Sequence, residues 1–399
     1  MKHRLLALLM LTLAGPAAAQ SLRLDAHFDL PASASTPGWT GLSDPSSQFD
    51  LEKARAGGLT AGSIALFVRQ GDGTPEALAQ AQKDLVTRDA AIHAIAERNP
   101  GRAGLALSPA DVRKIIASGR FAVIESMLNP WPVGSDLDAF DRWHARGVRI
   151  VGFVHAGHNQ FADSSRPALE RGEVADQNGG LTPLGRQAIA RLNDLGILID
   201  VSQLSEKGFA QALALSRAPV IASHSNIRAI VDHPRNLTDA QLDAIKAKRG
   251  VVAINAFSAW VKARSAATMA QVAALRRSYG LSEQGSAGLS PEKQKEYDRR
   301  YHEITEREPK ATLADFIDSV DYAVKRIGVD HVGLSSDFNH GGGVVGWNSD
   351  ADSANVTAEL KKRGYSDRDI AKLWGGNVLR VWQAAIDARA PAKRAPKRV

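Results

Sequence analysis

The chain has 399 residues, no cysteine and a formal net charge of +7. The absence of cysteine excludes disulfide bonds, thiol nucleophiles and Cys-ligated zinc. Two of the positive charges lie in the first four residues and four in the last seven, so the body of the chain is nearly neutral, which argues against a nucleic-acid partner.

The first twenty residues have the pattern of a secretory signal peptide. Lys2 and Arg4 provide a basic start, residues 5–14 an apolar stretch too short for a stable bilayer anchor, and residues 17–19 a small-residue cleavage site. We therefore expect an exported protein, periplasmic or secreted, without a membrane anchor; an uncleaved membrane-buried helix is the alternative. Residues 389–399 are basic and rich in Ala and Pro, which predicts a disordered tail.

Short apolar and β-branched runs alternate with segments of helical period along residues 21–388, which we treat as one domain. This alternation predicts an α/β fold of the (β/α)8 TIM-like barrel type. A doubly wound open sheet is the competing fold, but no Gly-x-Gly-x-x-Gly turn follows the first strand. The predicted strands are residues 22–29, 62–68, 121–125, 149–155, 198–202, 220–224, 251–255 and 331–337.

Two helices and one insertion complete the prediction. A helix over 182–195 begins at Thr182-Pro183, and another covers 313–327 with apolar residues three and four apart. A charged helical stretch, 260–309, interrupts the seventh unit as an insertion. It could serve as a lid, as an oligomer surface or as a solvated hairpin with no functional role.

Potential metal ligands stand near the carboxyl ends of the predicted strands, where barrel active sites are built. His27 and Asp29 are two residues apart on a strand, so their side chains share a face and can hold one cation. Burying an unpaired ionisable group in a packed core is unfavourable. Chance is therefore a poor explanation for ionisable residues at several equivalent strand ends. The full set of such residues is His27, Asp29, Glu125, His155, His224 and Asp337.

Several stretches resemble the membrane (renal) dipeptidase family of metallopeptidases. The most specific is APVIASHSNIRAIVDHPRNLTD at residues 218–239. It is supported by GLTPLG (180–185), LGILIDVS (195–202), HVGLSSDF (331–338) and GGNVLR (375–380), in the same order along the chain. The resemblance implies a metallo-dependent hydrolase barrel with a binuclear zinc site that cleaves dipeptides, often with a D-residue on the carboxyl side.

Carried over position by position, the resemblance implies a ligand set. His27, Asp29 and Asp337 would hold one metal, Glu125 would bridge both, and His224 would hold the second. Nitrogen and oxygen ligands of this kind suit zinc, and two close metals can activate water and polarise a carbonyl.

The same resemblance implies three roles toward the substrate. His155 would face the scissile carbonyl, and Arg235 would clamp the free carboxylate, a task that suits a guanidinium fork. Asp337 would carry a proton from the attacking water to the leaving amine. His155 and Asp337 are thus the expected catalytic residues, and Arg235 and His155 the expected substrate contacts.

One position departs from the family. Where the family reads Asp-hydrophobic-Ser-His and uses the histidine as a second-metal ligand, this chain reads Asp200-Val201-Ser202-Gln203. A neutral amide oxygen binds zinc less well than an imidazole. Three outcomes stay open: two metals with Gln203 ligating or nearby, one tight metal with a weakened second site, or a remodelled site with different chemistry.

The sequence therefore predicts an exported, zinc-dependent dipeptidase that acts on small peptides with a free carboxylate, including L,D as well as L,L dipeptides. The same barrel with altered chemistry, such as tailoring of a peptide metabolite or lactone hydrolysis, is one alternative. A non-catalytic peptide-binding protein is another, although binding alone needs no proton carrier such as Asp337. For the oligomeric state, a monomer and a homodimer both remain as alternatives.

Overall fold

A computed structural model describes residues 21–71, 73–281 and 289–389. The predicted signal peptide, and all but the first residue of the predicted tail, lie outside these ranges. Nine parallel strands form one sheet in the order β1-β2-β4-β5-β6-β7-β8-β9, with β3 paired to β4. The strands are β1 (Leu24–Asp29), β2 (Ala61–Phe67), β3 (Ala103–Leu105), β4 (Phe121–Leu128), β5 (Val148–Gly152), β6 (Leu198–Asp200), β7 (Ile221–Ser225), β8 (Val251–Asn255) and β9 (Val332–Ser335).

The first and last strands meet and nearly close the sheet. The backbone N–H of Asp29 donates to the carbonyl of Phe338 (2.9 Å), and that of Asp337 donates to the carbonyl of His27 (3.0 Å). The predicted TIM-like barrel is confirmed, and its eight predicted strands correspond to every observed strand except β3. β4 is longer than predicted and extends three residues beyond Glu125.

Helices follow most of the strands and cover the outside of the barrel. The two predicted helices are confirmed: Thr182 caps one by accepting from the Gly185 N–H, and the other begins with a capping box at Thr312. The helices are α1 (Leu51–Gly57), α2 (Pro75–Glu97), α3 (Pro109–Ala117), α4 (Ala139–Arg146), α5 (Pro183–Leu195), α6 (Glu206–Leu215), α7 (Asp239–Ala247), α8 (Ser258–Val261), α9 (Ala266–Ser278), α10 (Pro291–Thr305), α11 (Leu313–Ile327), α12 (Ser353–Lys362), α13 (Asp367–Ala371) and α14 (Asn377–Asp387).

The insertion after β8 contains α9 and α10, and its described part is helical as predicted. The two helices pack around a small apolar cluster of their own, formed by Leu275, Leu281 and Tyr297. Within the described ranges, no helix is long and apolar enough to cross a membrane.

The two faces of the sheet belong to different apolar clusters. One cluster takes residues from seven strands, among them Leu24, Ile124 and Leu198, together with residues of α3 and α14. The other contains Val123 and Met127 of β4, which alternate with the pocket residue Leu128 and therefore point outward. Because side chains alternate along a strand, Ile124, Ser126 and Leu128 of β4 face the interior and Glu125 faces the helices.

Candidate metal centre and substrate pocket

Three of the predicted ligands lie together at the carboxyl ends of β1 and β9. The ring Nε2 of His27 is 3.7 Å from Asp29 Oδ2 and 4.0 Å from Asp337 Oδ1. All three residues are buried, and one donor atom from each lies within 4.8 Å of the others. His27 lies within a register irregularity of β1 between Asp25 and Phe28, and Asp29 follows that irregularity.

The donor set fits a divalent cation. His27 Nε2 and Asp29 Oδ2 are buried and have no hydrogen-bond partner, an arrangement that is unfavourable unless a further group satisfies them. Burial alone would raise the pKa of Asp29, but His340 and His27 outweigh it and hold that pKa well below its usual value. Asp337 is oriented by Asn255, whose amide donates to Oδ2 at 3.0 Å. One imidazole and two carboxylates are therefore positioned to bind a metal such as zinc.

His224 is beside this cluster, but its ring nitrogens are already used. Its ring stacks on that of His27, with centroids 3.8 Å apart. Burial lowers the pKa of His224 well below its usual value, so the ring is neutral. Nδ1–H donates to Ser223 Oγ (2.7 Å), which in turn donates to Asp200. The lone pair of Nε2 then accepts from the Gln203 amide at 3.0 Å.

Gln203 is held from both sides in a left-handed backbone conformation, with φ 68°. Its Oε1 accepts from Arg166 Nη2 at 2.6 Å. Because a guanidinium only donates, the oxygen must face Arg166 and the NH2 group must face His224. The amide oxygen that could ligate a metal and the His224 lone pair are therefore both engaged.

Glu125 does not join the other predicted ligands, and its expected bridging role needs correction. It lies within β4 rather than at its end, faces the helices, and has Oε2 3.4 Å from His93 Nε2 on α2. Asp89, one helical turn before His93, completes this separate group. Burial raises the pKa of Glu125 to about 7. Leu128 lines the pocket instead, and Glu125, three residues before it on the same strand, therefore points to the opposite face.

A cavity of about 190 Å³ opens beside the metal ligands. Its lining includes Leu128, His155, Arg166, Gln203, His224, Arg235, Phe257, Trp260, Asp337 and His340. A larger cavity of about 570 Å³ lies at the amino ends of the strands, but no His, Asp or Glu lines it. The smaller cavity is therefore the candidate substrate pocket.

His155 and Arg235, the two residues expected from the sequence to contact substrate, both line this pocket. Burial lowers the pKa of His155 well below its usual value, so the imidazole is neutral and can donate a hydrogen bond. Arg235 is 2% exposed and donates to Ser225 Oγ (3.2 Å) and to the His224 carbonyl (2.5 Å). Its guanidinium carbon lies 4.9 Å from the centre of the Trp260 ring.

Two pocket residues were missed by the sequence prediction. His340 lies three residues after Asp337, and its Nδ1 is 3.5 Å from Asp29 Oδ2. Arg166 follows β5 by a long loop and lines the pocket opposite Gln203. The only sequence signal for His340 was its proximity to Asp337, and nothing in the sequence distinguished Arg166 from other loop arginines.

Comparisons with known proteins show the family and the fold. The family model described as membrane dipeptidase (Peptidase family M19) matches residues 15–395. A curated relative, dipeptidase tcpJ of Claviceps purpurea, is 31% identical over 288 residues, which is 71% of this chain and 55% of the relative. The chain thus spans little more than half the length of that protein.

Solved structures resemble the barrel over nearly its whole length. The probable dipeptidase PvdM from Pseudomonas aeruginosa is 42% identical with a TM-score of 0.86, covering 92% of this chain and 96% of that one. A metallo peptidase from Rhodobacter sphaeroides, liganded with a phosphinate mimic of the dipeptide L-Ala-D-Ala, is 25% identical with a TM-score of 0.70 and coverages of 92% and 99%.

Proposed function

Because this chain belongs to the membrane dipeptidase family, Peptidase family M19, we propose that it is a metal-dependent dipeptidase acting on dipeptides with a free carboxyl terminus. The observation that carries the proposal is the cluster of His27, Asp29 and Asp337 beside a small pocket that contains Arg235. Acceptance of L,D as well as L,L dipeptides is supported by the L-Ala-D-Ala mimic bound to the Rhodobacter relative.

The proposed cofactor is a single zinc ion, with His27, Asp29 and Asp337 as its ligands. When bound, it would supply Lewis acidity for activating water and polarising the scissile carbonyl. A second ion is disfavoured because the His224 lone pair accepts from Gln203. The interior face of β4 also offers Leu128 in the pocket and no carboxylate that could bridge two ions.

Three pocket side chains have separate roles in the proposed reaction. Asp337 accepts a proton from the attacking water and returns it to the leaving amine, and Asn255 holds its carboxylate in place. The neutral imidazole of His155 donates to the carbonyl oxygen as negative charge develops there. Arg235 holds the terminal carboxylate, which fixes the peptide bond relative to Asp337.

We also propose that the protein works outside the cytoplasm, on the basis of the signal-peptide pattern in residues 1–20. Small peptides are its expected partners there.

Altered chemistry in the same barrel is the second candidate. It is supported by the Arg166–Gln203 contact, which fills the side of the pocket where the family pattern expects a metal-binding histidine. Under this candidate, the metal and His155 would act on a different carbonyl, in a modified peptide or a lactone.

Hydrolysis assays separate the two candidates. The mature protein, loaded with zinc or stripped by a chelator, is incubated with L-Ala-L-Ala and L-Ala-D-Ala, and free alanine is quantified. The proposal predicts cleavage that is lost on chelation and restored by zinc. A folded, zinc-loaded protein that cleaves neither dipeptide would contradict the dipeptidase proposal and favour altered chemistry.

A further inference from the structure

Two guanidinium groups share the small pocket. Arg235 is buried, and Arg166 is partly exposed to the cavity that both residues line. Their guanidinium carbons lie 4.9 Å and 5.7 Å from the centre of one ring, that of Trp260. The two positive charges thus lie near the same indole ring, where cation–π attraction stabilises each of them.

Neither guanidinium has an acidic partner among the described residues. Arg166 donates to the neutral Gln203 amide, and Arg235 donates to Ser225 and a backbone carbonyl. No carboxylate oxygen lies within 4.0 Å of either group in the described ranges. The Nε–H of each is buried without a hydrogen-bond partner. Two like charges with unsatisfied donors, one buried and one partly exposed to the same cavity, favour an anionic ligand.

The charge of the pocket sets the charge of that ligand. Among the described residues, Asp337 is the only acidic one that lines the pocket, and together with Asp29 it would neutralise one divalent cation. Asp200 is nearby but does not line the pocket, and its carboxylate is hydrogen-bonded to Ser202 and Ser223. Among the side chains that do line the pocket, the two guanidiniums then remain as an excess of positive charge. A simple dipeptide zwitterion has one carboxylate for them, and among the described lining residues its ammonium group finds no acidic side chain except the proposed metal ligand Asp337.

We propose that the preferred substrates are dipeptides whose carboxyl-side residue is acidic, so that two carboxylates enter the pocket. Arg235 holds the terminal carboxylate and Arg166 holds the side-chain carboxylate. In Asp or Glu these two carboxylates are separated by only two or three carbon atoms, which suits two guanidiniums placed over one indole ring. This inference rests on the proposed dipeptidase function and adds Arg166 as the residue that determines specificity.

The test compares L-Ala-L-Glu with L-Ala-L-Gln, which have nearly the same shape and differ in one charge. Wild-type protein is expected to cleave the Glu dipeptide with a kcat/KM at least about tenfold higher, because a charge-assisted bidentate pair is lost with Gln. In Arg166→Gln the ratio should fall to about one, and Arg166→Lys should retain part of it because the charge remains. Arg186→Gln, which removes one exposed positive charge from α5, should leave the ratio as in wild type.

Two results would overturn the inference while leaving the dipeptidase function intact. One is equal cleavage of both dipeptides by the wild type. The other is an Arg166→Gln variant, folded by circular dichroism, in which both rates fall by the same factor, because Arg166 would then act on a part that the two substrates share.

The inference and the function can also fail separately. If the zinc-loaded wild type cleaves neither dipeptide, calorimetric titration of the same protein with the same two dipeptides measures whether it binds Ala-Glu more tightly than Ala-Gln. Binding of Ala-Glu at least tenfold tighter than Ala-Gln would retain the two-carboxylate pocket and reject the dipeptidase. Equal binding, or no binding of either, would reject both.

Discussion

The side-chain amide of Gln203 lies 3.0 Å from Nε2 of His224 and donates to it. The resemblance to the family predicts a histidine at position 203, and this contact is what the glutamine makes there. The histidine that would hold a second metal is present, but its lone pair is engaged. Arg166 fixes the amide in the required orientation through a 2.6 Å hydrogen bond to its oxygen.

A double substitution should restore a second metal site. Gln203→His with Leu128→Glu replaces the blocking amide by an imidazole and places a carboxylate on the interior face of β4. We expect the double variant to bind two zinc ions per chain, measured by elemental analysis after dialysis, and wild type to bind one. Each single variant is the control and should stay near one ion. Two ions in wild type would show that Gln203 does not block the site.

Replacing the proton carrier should separate chemistry from folding. In Asp337→Asn the side chain keeps its shape but cannot carry the proton, so kcat should fall by about 10²- to 10⁴-fold. Circular dichroism and the melting temperature report whether the barrel is intact. Asp367→Asn, at an exposed position on α13, is the matched control and should keep its rate. A near-normal rate in Asp337→Asn would remove this residue from the proposed role.

The carboxylate clamp predicts a specific loss of substrate binding. Arg235→Gln should lower kcat/KM for L-Ala-L-Ala by about 10- to 100-fold, because a charge-assisted hydrogen bond contributes about 1.5–3 kcal/mol. Amidation of the dipeptide's carboxyl terminus should lower the kcat/KM of the wild type by a similar factor. It should lower the kcat/KM of Arg235→Gln only slightly further. Equal cleavage of the acid and the amide by wild type would refute the clamp.

Glu125 predicts a pH dependence of stability. Burial raises its folded-state pKa to about 7, above the usual 4.5, so the folded state binds the proton more tightly than the unfolded chain. Its contribution to stability is therefore complete below pH 4.5 and is lost as the pH rises through 7. Glu125→Gln should gain stability relative to wild type between pH 4.5 and 8, by about 3 kcal/mol at most, measured by urea unfolding.

Two observations complete the Glu125 test. Glu52→Gln, at an exposed position on α1, should show no such change with pH. Glu125→Gln should also retain the wild-type zinc content, since the structure places Glu125 on the outer face of β4. Loss of zinc from this variant would mean that Glu125 reaches the metal after all.

The barrel was predicted well from the sequence because most of its strands have a recognisable pattern in their own few residues. Seven of the eight barrel strands have at least four residues, and the eighth, β6, lies within the motif LGILIDVS, whereas β3 has three residues and no such motif. The strand ends were predicted less accurately: Glu125 was expected at the end of β4 and facing the barrel mouth, whereas it lies within the strand on the outer face. A side chain's face depends on register, which periodicity in a short apolar run does not fix.

The site was predicted in part. His27, Asp29 and Asp337 come together from the two ends of the chain, because β1 and β9 are neighbours in a closed barrel. Arg166 could not be predicted, since its position depends on how a loop after β5 folds back over the pocket. The effect of Gln203 was also beyond the sequence, because it depends on Arg166.

Titration of zinc into metal-stripped protein, with the rate of dipeptide cleavage followed at each addition, tests the central claim most directly. A single-metal dipeptidase predicts that the rate rises in proportion to bound zinc and reaches its plateau at one ion per chain. A plateau at two ions, or no cleavage of any dipeptide at full loading, would contradict it.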